Sequence, residues 1–208
     1  MWTHTLHLIV ECTRYDHVYY TYTMLTHAEK ILLWSNNLWG FGVGILGPLY
    51  AVFATEVGGD VMELTWVYSL YLVCMGLGVI VVGKLTEKYG NEVFVVAGYA
   101  LSAVAAFGYL LVHSMQSLLF IQILMAIANA LLIPTWYALY DKFSGDDAHD
   151  GYIWGLSSGL YFIFQGIAVT VGGYLVSEYS FDVLFIAMGT VLTISTFVQA
   201  KILRYRVQ

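Results

Sequence analysis

Charge is what this chain has least of. Only 11% of its 208 residues are Asp, Glu, Lys or Arg and 60% are hydrophobic, whereas soluble domains carry about 25% charged residues. The mean hydropathy is +0.74, so a solvated surface around one core is excluded. Cysteine is nearly missing too. Cys12 and Cys74 make neither a disulfide framework nor a ligand pattern, and Cys74, inside an apolar stretch, reads as a small buried thiol. There is no H-E-x-x-H, no nucleophile elbow and no phosphate-cradling glycine loop, which argues against an enzyme. Neither a cofactor, a metal nor a nucleic-acid partner is expected.

What is present is long apolar runs. Six are long enough to cross a hydrocarbon core, which takes about 20 residues: Leu32–Thr55, Leu64–Val82, Val93–Val112, Leu118–Tyr140, Tyr152–Val176 and Val183–Ile202. They leave no room for a separate soluble domain. The reading is an all-α integral membrane protein, with a tail over residues 1–30 and a six-helix membrane domain over residues 31–208.

Positive charge is segregated. Arg14 and Lys30 precede the first run, Lys84 and Lys88 follow the second, Lys142 follows the fourth, and Lys201, Arg204 and Arg206 close the chain. The connections around Glu56–Glu63, His113–Ser117 and Ser177–Asp182 carry no Lys or Arg. The positive-inside rule then places both termini in the cytoplasm of a multi-pass protein of the cell membrane. Trp66, Tyr68 and Tyr71 fall where interfacial aromatics belong. Residues 1–23 hold five Thr, four Tyr and three His but no Gly or Ala, unlike everything after them, and translation starting at Met24 is the favoured reading. The Asp146-Asp147-Ala148-His149-Asp150 run reads as a solvated loop.

The first and fourth runs match at an offset of 86. Asn36 meets Gln122; Gly40, Gly42 and Gly44 meet Ala126, Ala128 and Ala130; Pro48 meets Pro134; and Tyr50 meets Trp136. The two runs cross in opposite senses, so the chain reads as two inverted three-helix repeats, an arrangement that puts a solute site near the midplane of many transporters. Asn36, Val43 and Tyr50 lie seven apart, as do Gln122, Asn129 and Trp136. Seven residues is close to two helical turns, so each set forms one stripe. The stripes are expected to face a central cavity and present amide, phenol and indole groups to a polar, uncharged solute, with Asn37 and Gln165 as lesser candidates. The bland alternative is interhelical glue. Gly40, Gly44, Gly155 and Gly159 are expected at close helix contacts, Pro48 at a kink, and Pro134 at its counterpart.

This arrangement resembles one half of a major facilitator superfamily transporter, the N-terminal six-helix half. The most specific match is the connection after the second run, where Gly83, Glu87, Lys88 and Gly90 fit the family pattern with Glu for Asp, while Asn91 and Glu92 depart from its basic end. The resemblance implies that Glu87 and Lys88 make charge contacts holding one state of an alternating-access cycle. Two other family signatures are missing. Gln122 stands where many proton-driven members have Arg, and Ala168-Val169 stand where drug antiporters have Gly-Pro, leaving only Gly172-Gly173. No charged residue lies well inside any run. An intramembrane charge costs at least about 2.5–3.5 kcal/mol and is retained for function, so its absence argues against proton coupling by this chain; Asp141 is the best-placed rim carboxylate. The expected partners are the lipid bilayer, a small solute, and either a second copy or a second six-helix half. The alternative from another class is a non-transporting membrane protein or transporter fragment that acts by assembly.

Overall fold

A computed structural model describes residues 25–144 and 150–205, of which 150–153 by backbone only. Residues 1–24, most of the 146–150 acidic run, and Arg206 lie outside the described residues.

The described residues form seven α-helices: α1 His27–Leu46, α2 Leu49–Glu56, α3 Val61–Tyr89, α4 Asn91–Gly108, α5 Met115–Ser144, α6 Asp150–Glu178 and α7 Phe181–Ala200. Short 3-10 turns, Tyr109–Leu111 and Lys201–Tyr205, extend α4 and α7. The starts follow local chemistry. Thr26 and Glu29 form a capping box on α1, and Asp60 and Glu63 form another on α3, each satisfying backbone N–H groups that the first turn cannot pair. Ser180 caps α7 through the Val183 amide.

Among the described residues five helices are long and apolar enough to cross a bilayer, and α1 with α2, bent by 45°, passes the same length and composition test as a pair. The break falls at Gly47-Pro48. Proline has no N–H to offer the Gly44 carbonyl, and Gly47 takes a φ of +22°, which a β-carbon disfavours. Pro134 behaves differently: α5 runs unbroken past it. The charged stretch after the second span also departs from expectation. It is not a loop, because α3 continues through Glu87 and Lys88 to Tyr89, and the turn shrinks to Gly90 at φ +83°.

The spans pack in a row. α3 lies on α5, α5 on α4, α4 on α7, α7 on the α1/α2 span, and that span on α6. The two row ends are sparsely covered, with 11% of the apolar window buried in each of α3 and α6 against 56% in α5. At one end of the bundle Phe53, Tyr109, Phe181 and Phe185 interlock, with Phe53–Phe185 and Tyr109–Phe185 centroids 4.8 and 5.1 Å apart. Among the described residues that end carries Glu56, Asp60, Glu63, Glu178 and Asp182 and no Lys or Arg; we call it the acidic end. Lys84, Lys88, Lys142, Lys201 and Arg204 mark the basic end.

Small residues set the helix spacings. A β-carbon built on Gly40 would strike the Tyr161 ring, one on Gly44 would meet Gln165 and Ala168 of α6, and one on Gly42 would press on Leu192 of α7. On α5, Ala130 sits under Gly78 of α3 and Ala128 under Gly98 of α4. Gly155 and Gly159 differ: among the described residues, a β-carbon at either meets nothing within 4 Å. They lie on the uncovered part of α6.

Candidate functional site

A cleft separates the α1/α2 span from α5, and it holds two pockets. Toward the basic end a cavity of about 240 Å³ is lined by Asn36 and Trp39 of α1, Leu132, Ile133, Trp136 and Tyr137 of α5, and Trp154, Ser157, Ser158, Tyr161 and Phe162 of α6. Toward the acidic end a cavity of about 230 Å³ is lined by Val43, Leu46, Gly47 and Tyr50 of the first span, Tyr68 and Tyr71 of α3, and Gln122, Met125 and Asn129 of α5, with Tyr109 and Met188. Both expected stripes therefore reach the cleft, divided between its two pockets. A third, wider concavity of about 600 Å³ opens at the acidic end beside Phe53, Glu56, His113 and Asp182.

The polar groups of the cleft are partly tied. Trp136 donates Nε1–H to the Leu32 carbonyl at 3.2 Å, an indole bridge from α5 to α1, and its ring stacks on Tyr140 at 4.8 Å. Gln122 donates Nε2–H to the Tyr109 hydroxyl at 3.1 Å. Asn129 donates Nδ2–H to the Tyr71 hydroxyl at 2.8 Å. Two buried oxygens stay unpaired: the Tyr50 hydroxyl and Asn129 Oδ1. An unmet buried polar atom costs about 1–3 kcal/mol, so these two mark the pocket as a place where a polar ligand gains what the protein lacks.

Two lesser candidates fall elsewhere. Gln165 lines neither pocket; its Cγ packs against Gly44, so it is a spacing residue between α1 and α6. Asn37 is fully buried and lines neither pocket. The sequence also concealed contributors. Tyr71, which the sequence places at the lipid interface, holds Asn129 in place, while Trp66 stays 69% exposed as an interfacial ring should. Ser195 donates to the Ser35 carbonyl at 2.8 Å, and Ser35 donates to Gln199 Oε1, a buried polar tie between α1 and the otherwise plain α7.

The charged residues at the basic end have few partners among the described residues. Glu87 and Lys88 are exposed and in no ion pair among the described residues; Lys88 Nζ lies 5.1 Å from the Tyr89 ring centre. Gly83 is exposed and faces open space, and Asp141 is exposed at the end of α5. The ion pair that does form joins Glu92, the residue that departs from the pattern, to Lys142 at 3.0 Å. Glu92 is 5% exposed and Lys142 48%. Deleting the lysine strands a buried carboxylate, whereas deleting the carboxylate leaves an ammonium that water can solvate. Lys142→Ala should therefore destabilise the bundle by about 1–2 kcal/mol more than Glu92→Gln. Equal melting temperatures for the two purified variants would show that the pair is fully solvated.

These features define a polytopic helical membrane protein with a solute-sized cleft between two of its spans. The chain belongs to the Major Facilitator Superfamily, whose profile matches residues 32–207. It is 29% identical over 120 residues to an uncharacterized MFS-type transporter of Bacillus subtilis, YvkA, covering 56% of this chain and 27% of that protein. It is 24% identical over 148 residues to an uncharacterized MFS-type transporter of Methanocaldococcus jannaschii, MJ1560, covering 71% of this chain and 38% of that one. The chain thus spans well under half the length of these relatives. Both relatives carry the name of transporters, and the chain shares their family.

Proposed function

We propose that this chain is one six-span half of a carrier that moves a small solute by alternating access, with the cleft between the α1/α2 span and α5 as the solute path. The observation that carries the reading is the pair of unmet oxygens, on Tyr50 and Asn129, inside an otherwise aromatic cleft. Such a cleft facing lipid would be unfavourable, so the working unit pairs it with a second six-helix body, either another copy or a separate half. The uncovered faces of α3 and α6, with open glycines at Gly76, Gly83, Gly155, Gly159 and Gly173, offer contact surface for that pairing. Glu87, Lys88 and Asp141 would then find their charge contacts across it.

Two inverted repeats give this path its symmetry. Adding 86 to Leu46, Gly47, Tyr50, Tyr68 and Tyr71 of the acidic-end pocket yields Leu132, Ile133, Trp136, Trp154 and Ser157, all lining the basic-end pocket. The same step carries Asn36 and Trp39 to Gln122 and Met125 in the reverse direction. Exchanging the first three spans with the last three also maps the row of packed helices onto itself. In this reading the two pockets are the two stations that open to opposite sides in turn, with the basic end in the cytoplasm. No proton relay crosses the cleft, so coupling by this chain alone is not part of the proposal.

Single cysteines at Leu46 and at Leu132, in a chain with Cys12 and Cys74 replaced by serine, test the cycle. A membrane-impermeant maleimide applied from one side should label one position at a time, and solute should shift the ratio. Simultaneous labelling of both from the same side rejects alternating access. A strict monomer that shows no uptake in vesicles would instead favour an assembly role.

A further inference from the structure

We propose that the acidic-end pocket binds a protonated organic amine, its N–H held by the side-chain oxygen of Asn129 and its charge by the rings of Tyr68, Tyr71 and Tyr109. The inference rests on the cleft being the solute path and adds the solute's chemistry.

Three observations converge. The first is what the pocket asks for. Asn129 is nine-tenths buried, and its Nδ2 is committed to Tyr71, which leaves Oδ1 unpaired. Gln122, on the same wall, donates to the Tyr109 hydroxyl. An unpaired amide oxygen is an acceptor that calls for a donor. The second is the wall. Four tyrosines and two methionines line a space of about 230 Å³, and aromatic faces carry the negative part of their quadrupole toward a cation. Stacked Tyr68 and Tyr71, with centroids 5.7 Å apart and planes within 22°, present such a wall from α3. No cationic side chain lines the pocket to repel a positive charge.

The third is the field outside. Among the described residues the acidic end bears Glu56, Asp60, Glu63, Glu178 and Asp182 with no Lys or Arg, and a rim of one sign raises the local concentration of counter-ions. A neutral polyol would gain nothing from that rim. A cation also accounts for the absence of any proton relay, since an inside-negative potential already drives a univalent cation inward, about fiftyfold per 100 mV. An ion without a carboxylate partner is held weakly enough to be released at the other side.

The test is calorimetric titration of the purified full chain with three probes of one shape: phenethylamine, 2-phenylethanol and phenethyltrimethylammonium. Phenethylamine should bind at least tenfold more tightly than either of the others. Asn129→Leu and Tyr71→Phe should each weaken it about tenfold, with helix content and monodispersity unchanged. Tyr71→Phe keeps the ring and removes only the hydroxyl that pins the Asn129 amide, so a role confined to packing would leave its titration unaltered. Equal binding of 2-phenylethanol, still lost in Asn129→Leu, overturns the charge while leaving the cleft as the site. Equal binding of the trimethylammonium overturns the N–H contacts. Binding indifferent to Asn129→Leu, or no binding of any probe, overturns the proposal together with the cleft reading beneath it.

Discussion

Replacing Gly172 by alanine is expected to pull α6 away from the first span and to destabilise the bundle by about 2–3 kcal/mol. The reason is geometric. Gly172 lies against the Ile45 carbonyl, and a β-carbon there would sit inside the contact radius of backbone oxygen, carbon and Cα atoms together. A flexible side chain can turn aside, but a helix backbone cannot, so the helices themselves must separate. Gly173 is the matched control. It has open space around its position for a β-carbon, so Gly173→Ala should change stability by no more than about 0.5 kcal/mol. Thermal unfolding in detergent reads both. Similar melting temperatures for the two variants would mean that α6 does not press on the first span as described.

The second large effect concerns Asn129. Asn129→Leu is nearly isosteric, removes the hydrogen bond to Tyr71 and deletes the unpaired oxygen. Solute uptake in vesicles should fall at least tenfold while expression and helix content hold. The loss is bounded below by one polar contact to ligand, about 1.4 kcal/mol for each factor of ten. Destabilisation should be small, because a tied amide between apolar helices contributes only about 0.6–2 kcal/mol. Unchanged uptake would reduce Asn129 to interhelical glue, and the cleft would lose its best polar contact.

The sequence made much of this scaffold legible because membrane spans advertise themselves. Runs without charge, lysines sorted to alternate connections and a glycine-proline step in the first span need no knowledge of neighbours, and the break at Gly47-Pro48 falls where the proline stood. Gly40 and Gly44 were readable as close contacts for the same reason: small residues at helical spacing have one common use in lipid. Gly155 and Gly159 carry the same signature but face no described neighbour within 4 Å of a β-carbon, since spacing tells which residues share a face and not which neighbour covers it. The stripe from Gln122 to Trp136 was visible in its period, yet its division into two pockets depends on where α3 and α6 lean. Tyr71 illustrates the limit. A tyrosine near the end of a span looks interfacial until Asn129 is known to face it. Ser35, Ser195 and Gln199 gave no signal, because serine and glutamine on an apolar helix read alike whether buried or turned to lipid. Glu92 was misjudged in its setting: it reads as one more loop charge, but the turn is a single glycine and folds it under Lys142.

The bend in the first span has a further bearing on how the protein is seated. With 20 residues at 1.5 Å each, α1 is about 30 Å long, but its first turn holds His27, Glu29 and Lys30, so the apolar crossing is completed only with α2. The eight residues of α2 carry the span past the bend, so Tyr50 points along a different axis from Asn36 and Val43 on α1. Phe53, wedged between Tyr109, Phe181 and Phe185, seats this segment on the bundle with Leu49 and Tyr50 packed beside it.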